Sequence, residues 1–322
     1  MSKLTEIIKD LEKKYGAGTV FKIDDDKKID IEVIPTGSIS LDYALGIGGI
    51  PRGRIVEVFG EASTGKTTLA LGIVAQAQKM GLSCAFVDAE HALDPEYAKK
   101  IGVDLKKVFI SQPNSGDQAL DIVEGFVKSG EIGLIIVDSV AALTPQAEID
   151  GVMGQHHIGL QARLMSQALR KLTAITSQAK TTILFINQTR VNIGMTWGDK
   201  TTTSGGNALK FYTSIRLNVK CAAKLKNGED FIGNRVIIKV AKNKLASPFK
   251  TADFDILFNE GISIESDVIN FGLKHEILKK TGNTIYYNEL KLGKSMEIAR
   301  IYLKEHKEVV SVIIKDIKKK LK

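Results

Sequence analysis

The sequence predicts an α/β fold built on a mostly parallel, doubly covered sheet, and three observations predict it. Short β-rich runs alternate with helical stretches between roughly Ile31 and Gly261: Ile55–Phe59, Cys84–Asp88, Val108–Ile110, Leu134–Asp138, Thr182–Asn187, Ile215–Val219 and Val236–Val240. Such alternation lays helices on both faces of parallel strands. The run Ile55-Val56-Glu57-Val58-Phe59 leads directly into Gly60-Glu61-Ala62-Ser63-Thr64-Gly65-Lys66-Thr67, a glycine-rich phosphate-binding loop in its strand-to-helix context. After Gly261 the reading changes to helix, an alternating strand at Thr284–Tyr287 and further helices, a small second domain.

In chain order, Leu4, Ile7, Ile8 and Leu11 recur at helical spacing before Gly16, and the charged stretch Asp24-Asp25-Asp26-Lys27-Lys28 breaks the pattern. This predicts a striped helix on a tether, whose stripe must be buried on its own core or on a neighbouring subunit. The expected division is 1–30 for helix and tether, 31–262 for the nucleotide-binding core and 263–322 for the small C-terminal α+β domain.

The phosphate loop implies a nucleoside triphosphate. Gly60 and Gly65 let the backbone wrap an anion, and the helix opening near Lys66 adds its positive dipole end. Lys66 would bridge the outer phosphates and the Thr67 hydroxyl would ligate Mg²⁺. Asp138 ends the apolar strand Leu134-Ile135-Ile136-Val137, where a carboxylate can hold a metal-bound water or simply cap the next segment; the loop upstream favours the metal. Glu90 follows the strand ending at Asp88 and could orient or deprotonate a water attacking the γ-phosphate, a role for which Asp88 competes. Right-handed crossovers bring Gly60, Glu90, Asp138 and Gln188 to the carboxyl ends of their strands.

Thr189–Ser204, followed by Gly205-Gly206-Asn207, reads as neither helix nor strand. With Arg190, Lys200, several hydroxyls and the single tryptophan Trp197, it suits contact with a phosphate backbone and bases. A plain surface loop has the same composition. A second loop, Ile149–Gly159, precedes a helix bearing Arg163 and Arg170, which equally describe a solvated helix face.

Composition bounds the remaining classes. The 322 residues, 43% hydrophobic, are enough for one large core plus an appended unit. Lys+Arg 45 against Asp+Glu 37 gives a net charge of +8, which draws the protein toward polyanions without choosing among them. Two lone cysteines, Cys84 and Cys221, point to a reducing compartment rather than a disulfide framework. The absence of a signal-peptide core or membrane-length apolar run leads to the expectation of a cytoplasmic protein.

Taken together, these residues closely resemble the bacterial RecA recombinase family across nearly the whole chain. The resemblance rests on Thr36-Gly37-Ser38 with Leu41-Asp42, Pro51-Arg52-Gly53-Arg54, the phosphate loop, Ala89-Glu90-His91-Ala92-Leu93-Asp94-Pro95, Val137-Asp138-Ser139, Phe185-Ile186-Asn187-Gln188 and Gly205–Tyr212. It implies a RecA-type core and ATP with Mg²⁺ as cofactors. It also implies homologous recombination and DNA repair, through a helical filament on single-stranded DNA that pairs with homologous duplex. Hydrolysis of ATP would then drive release.

By resemblance Lys66, Thr67 and Thr68 belong to the nucleotide site, Glu90 is the water-activating base, and Gln188 links the γ-phosphate to the DNA loops. Asp94 and Tyr97 look like the adenine pair. Lys242 and Lys244 match lysines that reach ATP on the adjacent protomer. Phe211 resembles an aromatic that inserts into the neighbour, and the Leu4/Ile7/Ile8/Leu11 helix resembles the segment docking there. Arg163, Arg170, Arg190, Trp197 and Gly205-Gly206-Asn207 fall at single-strand DNA positions. Self-cleavage of a repressor and accessory recombination proteins are further implied partners.

The chain departs from the family pattern at Asn192, Ile158, Trp197 and Phe258, the last standing near the nucleotide where Tyr is typical. It closes on Lys318-Lys319-Lys320-Leu321-Lys322 where relatives carry an acidic tail, which suggests freer uptake of duplex DNA. A ring-forming motor built on the same nucleotide core is the competing reading. The N-terminal helix and the Gly/Thr-rich loop favour the filament.

Overall fold

A computed structural model describes residues 2–16, 19–20, 31–152, 154, 157, 159–191 and 201–321. Expectations placed on Ile158, Asn192 and Trp197 lie outside the described residues. Residues 1–32 and 33–322 are two separate units.

In the first unit, α1 (Lys3–Tyr15) starts where the Ser2 hydroxyl accepts the Thr5 N–H at 3.3 Å, and its chain turns out at Gly16. No residue of the helix is buried; Leu4 and Ile7 are 61% and 48% exposed, and Ile8 and Leu11 are partly buried. The stripe expected from the sequence is therefore a largely open face.

The second unit begins with β1 (Val33–Ile34), α2 (Ile39–Leu45) and β2 (Ile50–Pro51), the two strands pairing with each other. Then β3 (Ile55–Gly60), α3 (Lys66–Lys79), β4 (Ser83–Asp88), α4 (Pro95–Ile101), β5 (Val108–Ser111), α5 (Gly116–Ser129), β6 (Ile132–Asp138), the short α6 (Gln146–Ile149), α7 (Leu160–Ala179) and β7 (Thr182–Val191) alternate as expected. β8 (Thr201–Thr203), α8 (Ala208–Tyr212), β9 (Ile215–Asn227), β10 (Asp230–Asn243), β11 (Thr251–Leu257) and β12 (Gly261–Ile262) follow. The last stretch holds α9 (Ile264–Lys274), β13 (Leu278–Thr281), β14 (Thr284–Tyr287), β15 (Leu290–Gly293), α10 (Met296–Glu305) and α11 (Lys307–Lys320).

The main sheet runs β5-β4-β6-β7-β3-β9-β10-β11-β12. It is parallel from β5 to β9 and antiparallel from β10 onward. The parallel part needs the helical crossovers that the periodicity announced; β9 and β10 are joined by a tight turn, which permits only antiparallel pairing. Both strands are far longer than the sequence suggests, because their outer halves carry Lys220, Lys224, Lys226 and Arg235 where the hydrophobic signal stops.

Alternation across β3 divides the core. Val56 and Val58 join a cluster with α2 and α3, while Ile55 joins one with α5 and α7. Both faces are covered, in agreement with the expected α/β class. A third cluster, including Val268, Phe271, Leu278, Ile285, Leu303 and Ile313, serves the last helices and the β13-β14-β15 sheet.

The described ends of Thr189–Ser204, residues 189–191 and 201–203, correct the reading of that segment as neither helix nor strand. β7 continues to Val191 and β8 returns antiparallel to it, with Thr189 opposite Thr203 and Arg190 opposite Thr202. A β-branched Thr run pairs readily on an edge, but polar residues on both faces leave no alternation to read.

Where α2 meets α9, two carboxylates are withdrawn from water. Asp42 Oδ1 accepts the Thr36 N–H at 2.8 Å and the Thr36 hydroxyl at 2.7 Å; Asp267, fully buried, accepts the Ser38 hydroxyl at 2.7 Å and the Ser40 N–H at 3.3 Å. Burial pushes the Asp42 carboxyl up to about 7, opposed by the Thr36 bonds and Lys318 and helped by Asp267. Burial likewise lifts Asp267 to about 6, against the bonds from Ser40 and Ser38.

Folded carboxyls that hold their protons more tightly than the unfolded chain add stability that is complete below about pH 4. That contribution is lost as pH rises through 6 to 7. Asp42→Asn removes one charge from this joint. Its stability relative to wild type is expected to rise by about 1–2 kcal/mol between pH 5 and pH 8 in urea titrations, whereas a difference independent of pH would contradict the assignment.

Candidate nucleotide site and DNA loops

The phosphate loop leaves the sheet at Gly60, which sits in register with Gln188 on β7 and Val219 on β9. A side chain there would bring a Cβ to 2.2 Å from the Val219 carbonyl oxygen, so only glycine lets the loop depart between two paired strands. Gly65 caps the N-terminus of α3, leaving that helix end without a side-chain cap. Thr64 Oγ1 donates to the Glu61 carbonyl at 2.9 Å, and Lys66 Nζ donates to the same carbonyl at 2.5 Å. Lys66 is only 7% exposed, and burial lowers its pKa against the pull of Asp138, Glu90 and Glu61.

The metal-side pair is assembled. Thr67 Oγ1 donates to Asp138 Oδ2 at 2.8 Å, joining residues 71 apart in sequence. Burial pushes the Asp138 carboxyl up to about 6, opposed by the Thr67 bond and raised further by Glu90 and Asp88. A divalent cation would relieve that cost. Among the described residues no group of three or more His, Cys, Asp or Glu could hold a metal ion. One hydroxyl and one carboxylate nevertheless suit Mg²⁺, which takes few protein ligands beside phosphate oxygens.

Glu90 and Gln188 meet across the cleft, Gln188 Nε2 donating to Glu90 Oε1 at 3.0 Å. Asp88 is committed elsewhere: its oxygens accept the Ala92 N–H at 3.2 Å, the Leu93 N–H at 3.1 Å and the Gln112 amide at 3.0 Å. This separates the two carboxylates that the sequence left in competition. The exposed one is free to meet a water, while the buried one shapes the loop that carries it.

A cleft of about 240 Å³ opens beside the loop, lined by Ser63 to Thr68, Tyr97, Asn234, Ile256 and Phe258. Thr68 and Tyr97 share a hydrogen bond of 2.8 Å between their hydroxyls. Asp94 caps α4 instead of reaching into the cleft, accepting the Glu96 N–H at 2.9 Å and the Tyr97 N–H at 3.2 Å.

Lys242 and Lys244 are not brought to this cleft. Asn243 between them pairs with Ile215, which pairs with Val56 at the start of β3, whereas the loop leaves β3 at Gly60. Four residue steps along the strand separate the two ends, about 13 Å of sheet. Lys242 Nζ donates to the Lys210 carbonyl at 2.6 Å and to that of Phe211 at 3.1 Å, and Lys244 Nζ to the Phe211 carbonyl at 3.3 Å. Two cations thus cap the C-terminal end of α8, whose Phe211 is 71% exposed. Burial, then Lys244 and Arg216, bring the Lys242 ammonium down to about 8.

The DNA-loop residues gather around the start of α7. Arg163 and Arg170, two helical turns apart, are exposed on one face, and Arg190 is exposed near the end of β7. The Gly205 N–H donates to Gln161 Oε1 at 3.2 Å, while Gln161 Nε2 donates to the carbonyls of Val140 at 2.8 Å and Leu143 at 3.2 Å. Gly206 has φ +74°, and a Cβ there would lie 2.8 Å from that of Ala162, so the turn closes onto α7 only with glycine. Asn207 is exposed at the head of α8.

Sequence reasoning missed three residues in this region. Gln161, at the head of α7, ties two loops together. Glu57 sits inside an apolar strand, fully buried, and its carboxylate takes the Asn187 amide at 2.9 Å and a very short contact from Arg216 Nε. Arg216 also lies over the Phe59 ring at 4.4 Å, and Asn187 Nδ2 reaches the Ser204 carbonyl at 3.0 Å. A lone carboxylate in a strand otherwise buried on both faces was the available signal.

The RecA N-terminal domain matches residues 2–263 and the RecA C-terminal domain matches residues 266–322. The chain belongs to the RecA family. It is 54% identical over 311 residues to the Protein RecA of Methylococcus capsulatus, covering 96% of this chain and 90% of that one. It is 56% identical over 313 residues to the Protein RecA of Nitratiruptor sp., covering 97% and 91%. With the Protein RecA of Campylobacter lari the identity is 54% over 315 residues, covering 98% and 92%. As a RecA-family protein it is a recombinase of homologous DNA recombination and DNA repair, nucleotide-binding, DNA-binding and filament-forming, with DNA-dependent ATPase activity. No helix among the described residues is long and apolar enough to cross a membrane.

Proposed function

We propose that the cleft beside the phosphate loop binds ATP with Mg²⁺, and that a second copy of the chain completes the site. The supporting observation is the convergence of Lys66, the Thr67–Asp138 pair and the Glu90–Gln188 pair at the carboxyl edge of one sheet. The loop from Gly60 to Thr68 cradles the phosphates, Lys66 faces the outer ones, and Thr67 and Asp138 hold the metal. When bound, Mg²⁺ offsets phosphate charge and orients the outer phosphates. Glu90 takes the proton of the attacking water, and Gln188 couples that event through β7 to Arg190 and the Gly205-Gly206-Asn207 turn. Tyr97, with Asp94 setting the start of its helix, borders the base.

Lys242 and Lys244, on the opposite edge from their own loop, serve the nucleotide of the adjoining protomer. Phe211 and the α1 stripe of Leu4, Ile7, Ile8 and Leu11 seat that neighbour. Single-stranded DNA lies against Arg163, Arg170, Arg190, Trp197 and the Gly205–Asn207 turn, and duplex is tested against it by base pairing. The division 1–30, 31–262 and 263–322 separates seating, chemistry and an accessory unit. A protein of this kind works in the cytoplasm, where accessory recombination proteins and a self-cleaving repressor stimulated by the filament are its further partners.

Electron microscopy with single-stranded DNA and a non-hydrolysable ATP analogue tests the assembly. Continuous helices are expected from the wild type. Lys242→Ala with Lys244→Ala should abolish them and lower DNA-stimulated ATP turnover at least tenfold, the scale of losing two charge-assisted phosphate contacts. Unchanged filaments would remove the cross-protomer role.

A further inference from the structure

The geometry points to Arg300, on α10, as a positioning residue for the nucleotide cleft, acting through Glu260 on the turn that carries Phe258. The inference rests on reading that cleft as the ATP site.

The turn is short and pinned. Leu257 on β11 pairs with Gly261 on β12, the Phe258 N–H donates to the Ile232 carbonyl at 3.0 Å, and the Glu260 N–H to the Leu257 carbonyl at 3.3 Å. Phe258 and Ile256 line the cleft on one side of this turn. On its other side Glu260 grips α10: Lys304 Nζ lies 2.7 Å from Oε1 and Arg300 Nη1 lies 3.6 Å from Oε2.

Arg300 is held firmly at its own end. Its Nε and Nη2 fork onto Glu297 at 3.0 and 2.6 Å, and its side chain is only 16% exposed. Among the described residues its Nη1 is buried with no hydrogen-bond partner; the Glu260 carboxylate lies 3.6 Å away, and Glu297 and Glu265 also act on the guanidinium. Helix α10 is in turn seated by Ala299 and Leu303, both fully buried in the third cluster. A single residue, Asn259, therefore separates an aromatic wall of the cleft from a carboxylate clamped by another helix. A displacement of α10 moves Phe258.

The phosphates belong at the N-terminus of α3, so Phe258 with Tyr97 borders the remainder of the nucleotide, its base. The strut consequently affects base binding and leaves phosphate binding alone. Its partly exposed ion pairs set the size, a change of about three- to fivefold.

The test is equilibrium binding of ATP and of inorganic tripolyphosphate to the full chain, with Mg²⁺, for wild type, Arg300→Ala, Glu260→Gln and the double variant. Arg300→Ala is expected to weaken ATP about three- to fivefold with tripolyphosphate unchanged. Glu260→Gln, which also loses Lys304, should weaken ATP at least as much, and the double variant should lose no more than Glu260→Gln alone, because Arg300 acts on the turn through Glu260. Turnover at saturating ATP and DNA should be retained.

Equal weakening of both ligands, additive losses, or a lowered melting temperature with normal ATP affinity would each overturn the strut. A wild-type protein that bound no ATP would overturn the reading of the cleft and the strut with it. ATP binding that is intact but indifferent to residues 260 and 300 overturns the strut alone.

Discussion

Glu90→Gln is expected to lower DNA-stimulated ATP hydrolysis by about 10²- to 10⁴-fold, the usual worth of a positioned general base, while nucleotide affinity stays within about twofold. The amide keeps an oxygen where Glu90 Oε1 now accepts the Gln188 amide at 3.0 Å, so the contact across the cleft survives and only the basicity is lost. Filaments formed with ATP should then persist far longer on single-stranded DNA, because release follows loss of the γ-phosphate. Phosphate release and filament lifetime measured on the same preparation check both halves. A fall of less than about tenfold would mean that the proton goes elsewhere. Asp88 is poorly placed to take it, since two backbone N–H groups and Gln112 already occupy its oxygens.

The second large effect is on stability. Glu57→Ala should cost about 3–5 kcal/mol, the range for removing one partner of a buried ion pair, against a total of about 5–15 kcal/mol for a typical protein. The guanidinium of Arg216 would be stranded with its side chain only 13% exposed, and the Asn187 amide would lose one of its two acceptors. Urea denaturation is the measurement. Replacing both partners, as Glu57→Leu with Arg216→Leu, is expected to be less damaging than the single change, since no unpaired charge remains. If the single and double variants unfolded at the same urea concentration, the pair would not be the source of the cost. The network lies directly below Gln188 and Ser204, so the single change should also loosen DNA-stimulated turnover before global unfolding.

Much of the nucleotide site was legible because its signals are local. The phosphate loop is contiguous, Asp138 and Glu90 follow hydrophobic strands, and crossover handedness brings strand ends together without knowledge of side-chain contacts. The pairings are another matter. Thr67 with Asp138, Glu90 with Gln188, and Glu57 with Arg216 span 71, 98 and 159 residues, and no periodicity reports which polar groups will face each other. The β9–β10 arm was under-read for a related reason: past the core its residues mix lysines and small side chains with Leu225 and the exposed Phe231 and Ile232, in no sustained alternation, so pairing continues where hydrophobic contrast has ended.

Along the chain alone stood the α/β class, the cradle for a triphosphate, the striped leading helix and the two loops suited to DNA, because backbone freedom at glycine and burial of apolar faces are written residue by residue. The folded arrangement settled which of two neighbouring carboxylates is free, that Lys242 and Lys244 lie at the opposite end of the strands from their own phosphate loop, and that Glu260 joins the cleft to α10. Those outcomes depend on strand register and on desolvation of charges brought together from distant segments, quantities that exist only once the sheet is assembled.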